Sequence, residues 1–465
     1  MKSTNNRSTV SDKCELIIYS LVLLLVFEGI IRKALPSLAT PVFFLKDLLC
    51  VVGIFTLKGR ELPDIIFKLN LKRITLFILF LPLLYFTGFK DPLLAIFAAK
   101  QYLLYTVVGV LVSVAFPPPQ EEKFKKFIFF TSLLLVPTSL VAIMQNALPA
   151  SHWLNLSVGG ESLEAFSAAG YLRVSSTFSF TGQYSWFLAA ESFFLAISFF
   201  LQPKTILALG VRIRYNIYVV LLILLIISAF ITGGRTAVLG CGATFILGLF
   251  LIGCKRPGWF LSRGIPIICI CLVSLSVLKA VKPQYFAAYS ARSSGYNHMS
   301  HNEEITGRVL HGFTGWSDWF WEQDLTSVLL GNGLGVMSNG SSQVSSYAAK
   351  IRANGFWTEG DMPTTFWEGG MYLIIVWYGF RLSLIIWCYY LWRAMRTQAL
   401  ASATSFLLAY VVISGLISQL GMQPPLAIWW WLAIGMIILL HRLEKHELST
   451  VIEGLSLKEV KGSLV

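Results

Sequence analysis

Twelve apolar runs, most of them about as long as a bilayer is thick, leave this chain few folds to choose from. They fall at roughly 14–34, 41–57, 74–88, 92–114, 124–147, 184–202, 216–232, 235–252, 265–281, 364–391, 402–420 and 425–441. A helix needs about 20 apolar residues to cross ~30 Å of hydrocarbon. Only helices and closed barrels satisfy their own backbone polar groups at that depth, and the alternating pattern of a β-barrel strand does not occur. Charged residues are 13% of the chain, against about 25% in an ordinary soluble domain. The expected fold is an all-α polytopic membrane protein of about twelve transmembrane helices, one integral membrane domain over 1–465.

The formal net charge of +13 raises nucleic acid as a partner, but the placement of the charges argues for topology instead. Lys58, Arg60, Lys68, Lys72 and Arg73 lie in one inter-helix loop, and Lys123, Lys125 and Lys126 in another. Lys204, Arg212 and Arg214, then Lys255, Arg256 and Arg263, and finally Arg393 and Arg396 complete the set. With twelve spans these loops share one side with both tails, including the polar segment 442–465. The positive-inside rule makes that side cytoplasmic. Two long polar loops, 149–183 and 282–363, then face outward. The seven cysteines lie in or beside apolar runs with no CxxC spacing, so neither a disulfide framework nor a redox motif is expected. The polar start of the chain resembles a signal peptide, but Glu28, Arg32 and Lys33 follow without a small-residue cleavage site, so the first run is read as an uncleaved helix.

Ionisable residues at membrane depth are costly and draw attention. Glu28, Lys46, Asp47, Lys100, Glu191, Arg235 and Glu368 qualify. Lys46 and Asp47 are neighbours, about 100° apart on a helix, so each is expected to pair across to another helix and fix packing. Arg235 stands apart. It follows Thr232, Gly233 and Gly234 between two runs spaced too closely for an ordinary loop. Two glycines let the backbone turn sharply and approach a ligand. The next helix starts there, so its N–H groups and positive dipole end join the guanidinium. An anion such as phosphate fits. Arg173, in the first outward loop, could approach the same site, though taken alone it reads as a solvated charge.

In the large loop, 305–322 has the spacing of an amphipathic helix. Ile305, Val309, Phe313, Trp316 and Phe320 share one face; Arg308, His311, Gly315, Trp319 and Glu322 share another. Such a helix would lie at the interface, with His311 and Trp319 placed to contact a sugar. The glycines at 331, 333 and 335 lack the GxGxxG spacing of a dinucleotide fingerprint and read as a tight turn back to the membrane. His298, His301 and His311 with Glu303 and Glu304 match no metal-binding spacing, so no metal and no cofactor is expected.

Taken in order, the Arg235 hairpin, the outward loop with Gly307, Arg308 and its tryptophans, the turn at 330–335, and a helix bearing Trp367, Glu368, Gly369 and Gly370 resemble the O-antigen ligase and polymerase family. The resemblance covers roughly 170–380 and includes the Arg173 segment with Thr177 and Phe178. It implies a GT-C-type membrane glycosyltransferase of the bacterial inner membrane, acting on its periplasmic side. The donor is an undecaprenyl-diphosphate-linked oligosaccharide, and a hydroxyl of the acceptor sugar displaces the lipid diphosphate. Arg235, Arg308 and Arg173 would hold the diphosphate. Glu359 would be the catalytic base, with Asp361 second. Ligases of the family commonly carry a His eleven residues before a glycine of this helix; counting back from Gly370 lands on Glu359. That departure favours a polymerase. A ligase moving glycan to lipid A core or protein, and a transporter or flippase of lipid-linked glycan, are the alternatives. Expected partners are the lipid-linked substrate, membrane lipids, and a chain-length regulator with other polysaccharide-assembly proteins.

Overall fold

A computed structural model of the chain describes residues 2–160, 167, 172–293, 301–353 and 360–462. Among these, all regular structure is helical, with no strand. Twelve helices have the length and hydropathy to cross a membrane. They are α1 (Val10–Ala34), α2 (Pro36–Leu57), α3 (Asp64–Lys90), α4 (Pro92–Ala115), α5 (Pro118–Ala147), α6 (Thr181–Leu201), α7 (Val211–Ile231), α8 (Arg235–Lys255), α9 (Pro257–Val281), α10 (Asp361–Ala394), α11 (Gln398–Ile417) and α12 (Pro424–Thr450). Each coincides with one expected run. The third, expected to be short, gains a full polar-flanked turn or more at its start, because Pro63 precedes the helix and Asp64 opens it. The last continues past its apolar part to Gly462, so the segment expected as a tail is helix over its described length.

The bundle is organised about α12, whose most apolar window is 94% buried. Trp429, Trp430 and Trp431 are almost wholly shielded, and Trp430 Nε1 donates to the Val411 carbonyl at 3.0 Å. The helix packs on α4 and α11. Its closest approach uses Gly435 and Gly109, where a Cβ on Gly435 would lie 2.5 Å from the Gly109 carbonyl oxygen. Small residues let backbones meet in this way where lipid supplies no hydrophobic drive. A second tight group joins α6, α8 and α11, with Gly248 on Phe406 and Gly240 on Ala189. By contrast the described residues of α9 are almost all exposed or half-buried, and it lies at the periphery.

At the end away from the long loops, charged side chains cap exposed carbonyls and amides. Lys255 Nζ donates to the carbonyls of Trp392 and Met395 at 2.6 and 2.7 Å, and the Glu444 carboxylate accepts the amides of Arg396 and Thr397. At the loop end, Asp91 caps α4 by accepting from the amides of Leu93 and Leu94 and is joined to Ser345 of the large loop. The Ser345 hydroxyl and those two amides hold the Asp91 carboxyl below the usual carboxylate range.

One span is not straight. Asp361 and Arg381 are twenty residues apart, about 30 Å along an ideal helix, yet they form an ion pair. The chain folds back at Gly369 and Gly370, whose φ/ψ of −139°/16° and 60°/−159° leave the helical region. The second conformation is open to glycine almost alone. Residues 361–368 thus form a half-helix folded back along the start of 371–394, as far as Tyr378 and Arg381.

Candidate functional site

The hairpin between α7 and α8 is built by its own short sequence. Thr232 Oγ1 donates to the Ala229 carbonyl and accepts the Gly234 amide at 3.0 Å. Gly233 takes φ 60°, and α8 begins at Arg235. Arg235 is 8% exposed. A Cβ on Gly234 would sit 3.1 Å from Ser185 Oγ and 3.7 Å from Arg173 Nη2. The guanidinium of Arg173 therefore rests against the backbone of Gly234, one residue from Arg235. Two arginines, 62 positions apart in sequence (235 − 173), and the first-turn amides of α8 meet at one place. The Ala237 amide bonds back to the Gly234 carbonyl at 3.2 Å; amides of a helix's first turn generally lack partners within the helix, and with the positive end of the helix dipole they favour an anion.

The Arg173 segment is clamped rather than draped. Thr181 Oγ1 donates to the Arg173 carbonyl at 3.0 Å. Ser176 adopts φ 53°, unusual for a residue with a side chain; its amide donates to Gln145 Oε1 and its hydroxyl to the Thr138 carbonyl, both at 2.6 Å. Thr177 Oγ1 donates to the Val26 carbonyl, and the Thr177 carbonyl accepts from the Ile30 amide at 2.7 Å. Gly29 admits the backbone of Phe178 and Ser179, since a Cβ there would lie 2.0 Å from the Phe178 carbonyl carbon.

Asp361 has a different setting from the one a free base needs. Its carboxylate accepts from Arg381 Nη1 and from the Tyr378 hydroxyl at 2.6 Å. Arg381 is wholly buried, and its Nη2 donates to the Ser418 carbonyl at 3.0 Å, beside the end of α11. The acid is thus neutralised by an arginine that also caps a helix C-terminus. α11 connects this pair with the arginine hairpin, because it packs along α8 as well.

Glu368, fully buried, holds the glycine loop in place. Its Oε2 accepts from the Tyr102 hydroxyl at 2.6 Å and its Oε1 from the Met337 amide at 2.8 Å. Gly331, Gly333 and Gly335 all have positive φ, and the Gly331 backbone lies against that of Glu368 and Gly369. The expected tight turn is present, seated between α3, α4 and the half-helix.

The expected helix over 305–322 is divided. It runs as His301–Thr314, then turns, then resumes as Ser317–Phe320. The Gly315 amide bonds back to the His311 carbonyl at 2.8 Å, and a Cβ on Gly315 would collide with the His311 ring at 2.7 Å. The apolar face persists through the turn, which is why periodicity read it as continuous: Trp316 and Phe320 both lie on the Phe366 ring. His311 is exposed, with Nδ1 3.6 Å from Asp318. Trp319 meets Trp367 edge-on at 6.3 Å. Arg308 lies on the His301–Thr314 helix, which packs on the half-helix of α10, and its side chain lies outside the described residues. Glu359 also lies outside them.

Of the membrane-depth charges, Lys46 and Asp47 pair as expected with other helices: Lys46 Nζ with Glu28 and Asp47 with Lys100 Nζ, each at 2.8 Å. Sequence reading missed Arg381, although one cation within a long apolar run is itself the signal. It also missed Tyr102 and Tyr378, which nothing in the local pattern marks. Compared with known proteins, the chain matches no family model and no curated protein.

Proposed function

We propose that this protein is a GT-C-type membrane glycosyltransferase of the bacterial inner membrane that polymerises undecaprenyl-diphosphate-linked oligosaccharide repeat units. In this reading both long loops face the periplasm, and both termini are cytoplasmic. The observation that supports it best is the convergence of Arg173 with the glycine hairpin and Arg235 at the start of α8. The donor's diphosphate would lie on these groups. The acceptor hydroxyl attacks the anomeric carbon, the bond from that carbon to the diphosphate oxygen breaks, and the diphosphate leaves with the added negative charge. Arginine suits this task because its planar fork binds phosphate oxygens in pairs. Arg308 is assigned to the same diphosphate. The hydroxyl proton goes to Glu359; Asp361, already held by Arg381 and Tyr378, is the weaker candidate. His311 and Trp319 are assigned to the sugar.

The test is reconstitution of the purified protein with lipid-linked repeat units. The expected products are a ladder of longer glycans and released lipid diphosphate. Replacing Arg235, Arg173 or Arg308 by Ala should lower turnover about 10²–10³-fold, as removal of a preorganised charge-stabilising donor does. Glu359→Gln should slow it about a hundredfold. Transfer of one glycan to a lipid A core or protein acceptor without a ladder would make the protein a ligase. Movement of substrate with no new glycosidic bond would remove the enzyme reading altogether.

A further inference from the structure

At the loop end of α1 and α2, charges gather around one ring. Arg32, Lys46 and Lys100 lie 5.0, 3.9 and 4.9 Å from the centroid of Phe43. Two carboxylates face them. Glu28 takes both Arg32 Nη1 at 3.0 Å and Lys46 Nζ at 2.8 Å, and Asp47 takes Lys100. Among the described residues three cations thus meet two acids, which leaves one positive charge over. Lys33 lies next in sequence and donates to the Leu154 carbonyl and Ser175 hydroxyl, both at 3.0 Å, so it adds charge without supplying an acid. An uncompensated charge beside hydrocarbon is expensive, and a counter-anion relieves it.

Arg32 lies near the end of a spanning helix, the level at which lipid phosphates would sit. Arg32 is two residues from the end of α1, about 3 Å along the axis. Its Nη1 makes the bonds to Glu28 and to the Ser179 hydroxyl, while its buried Nε has no hydrogen-bond partner among the described residues. Beside it, α2 turns Phe44, Leu45 and Leu48 outward, each 42% exposed or more. A charged group bordered by outward-facing apolar side chains offers both parts of a lipid a partner: its head group and its chains.

We propose that Arg32, backed by Lys46 and the Phe43 ring, binds the phosphate of an anionic lipid in the leaflet at the loop end. This site uses other charged side chains than the Arg173 and Arg235 hairpin, although Arg32 and Lys33 touch Ser179 and Ser175 of the Arg173 segment. It rests on the membrane-spanning fold and not on the glycosyltransferase reading, so the two stand or fall in different experiments.

The experiment is native mass spectrometry of the delipidated full chain titrated with phosphatidylglycerol, phosphatidylcholine or a polyprenyl diphosphate. Wild type should retain phosphatidylglycerol in preference to phosphatidylcholine. Arg32→Gln leaves two balanced ion pairs, so the protein should stay folded while its affinity for phosphatidylglycerol drops about tenfold; thermal unfolding checks the first point. Glu28→Gln raises the excess charge and should bind at least as tightly as wild type, a result that simple damage to the helix packing would not give. Lys279→Gln, an exposed cation elsewhere, should change nothing. Displacement of phosphatidylglycerol by the polyprenyl diphosphate supports the site with a substrate-type lipid as occupant; its failure to displace supports the site with a bulk lipid. Equal retention by wild type and Arg32→Gln, or equal binding of phosphatidylcholine and phosphatidylglycerol, overturns the proposal.

Discussion

Replacing Arg381 by Met tests the fold-back of α10 and the role of Asp361 together. In the native protein Asp361 is nearly inaccessible and takes one hydrogen bond from Tyr378 and one from Arg381. Arg381→Met removes the charge partner and frees the Ser418 carbonyl at the end of α11. Leaving a buried charge without its partner costs about 3–5 kcal/mol. Asp361→Asn leaves Arg381 charged but still facing the carbonyls of Ser414 and Ser418, so its cost should fall at the lower end of that range, about 3 kcal/mol. The double variant has no buried charge to strand. It should be more stable than Arg381→Met alone, with a coupling of about 2–3 kcal/mol between the sites. Reversible unfolding in mixed micelles, followed by tryptophan fluorescence, gives the four free energies. Additive effects would mean that the half-helix does not lie against 371–394. The same variants bear on catalysis: if Asp361→Asn, once stabilised by Arg381→Met, keeps wild-type turnover, Asp361 serves the fold and is not the base.

Gly370→Ala should destabilise the tip of this hairpin by about 1–3 kcal/mol from backbone strain. The new methyl also meets the Val328 carbonyl oxygen at 2.5 Å, so the cost should exceed that of Gly379→Ala, where nothing lies within 4 Å. Glu368→Ala strands the Tyr102 hydroxyl and the Met337 amide, at about 1–3 kcal/mol for each buried orphan, and amide hydrogen exchange should rise over 331–337 before it rises elsewhere. Asp91 contributes in a pH-dependent way. Its folded pKa is depressed, so its contribution is complete above the ordinary carboxylate range and is lost as pH falls through the lowered value. Ser345→Ala removes the main cause and should move the acid-side loss of stability to higher pH; an unchanged acid limb would refute this.

The spans were legible because bilayer thickness writes itself into chain length, and every expected run has its helix. The arginine hairpin was legible for a local reason: Thr232, Gly233 and Gly234 build the turn from within four residues. What failed was anything that depends on distant partners. The pairing of Tyr102 with Glu368 spans 266 residues and leaves no trace in periodicity. The fold-back at Gly369 and Gly370 is hidden because a long apolar run follows it and hydropathy does not record direction. The same blindness joined His301–Thr314 to Ser317–Phe320, since one apolar face passes through the turn at Gly315. Arg381 was overlooked because it lies among apolar neighbours, and its acid is supplied by a segment that the linear reading placed a helix length away.

The burial of α12 constrains how the molecule is put together. Eleven spans precede it in the chain, yet it is the one they surround. During synthesis the earlier helices must keep an opening for it, with the Gly109 face of α4 and the far side of α11 lined by lipid or by an assembly factor until it arrives. A ribosome stalled before Pro424 would therefore leave a ring without a hub: fully inserted, and still a substrate for quality-control proteases.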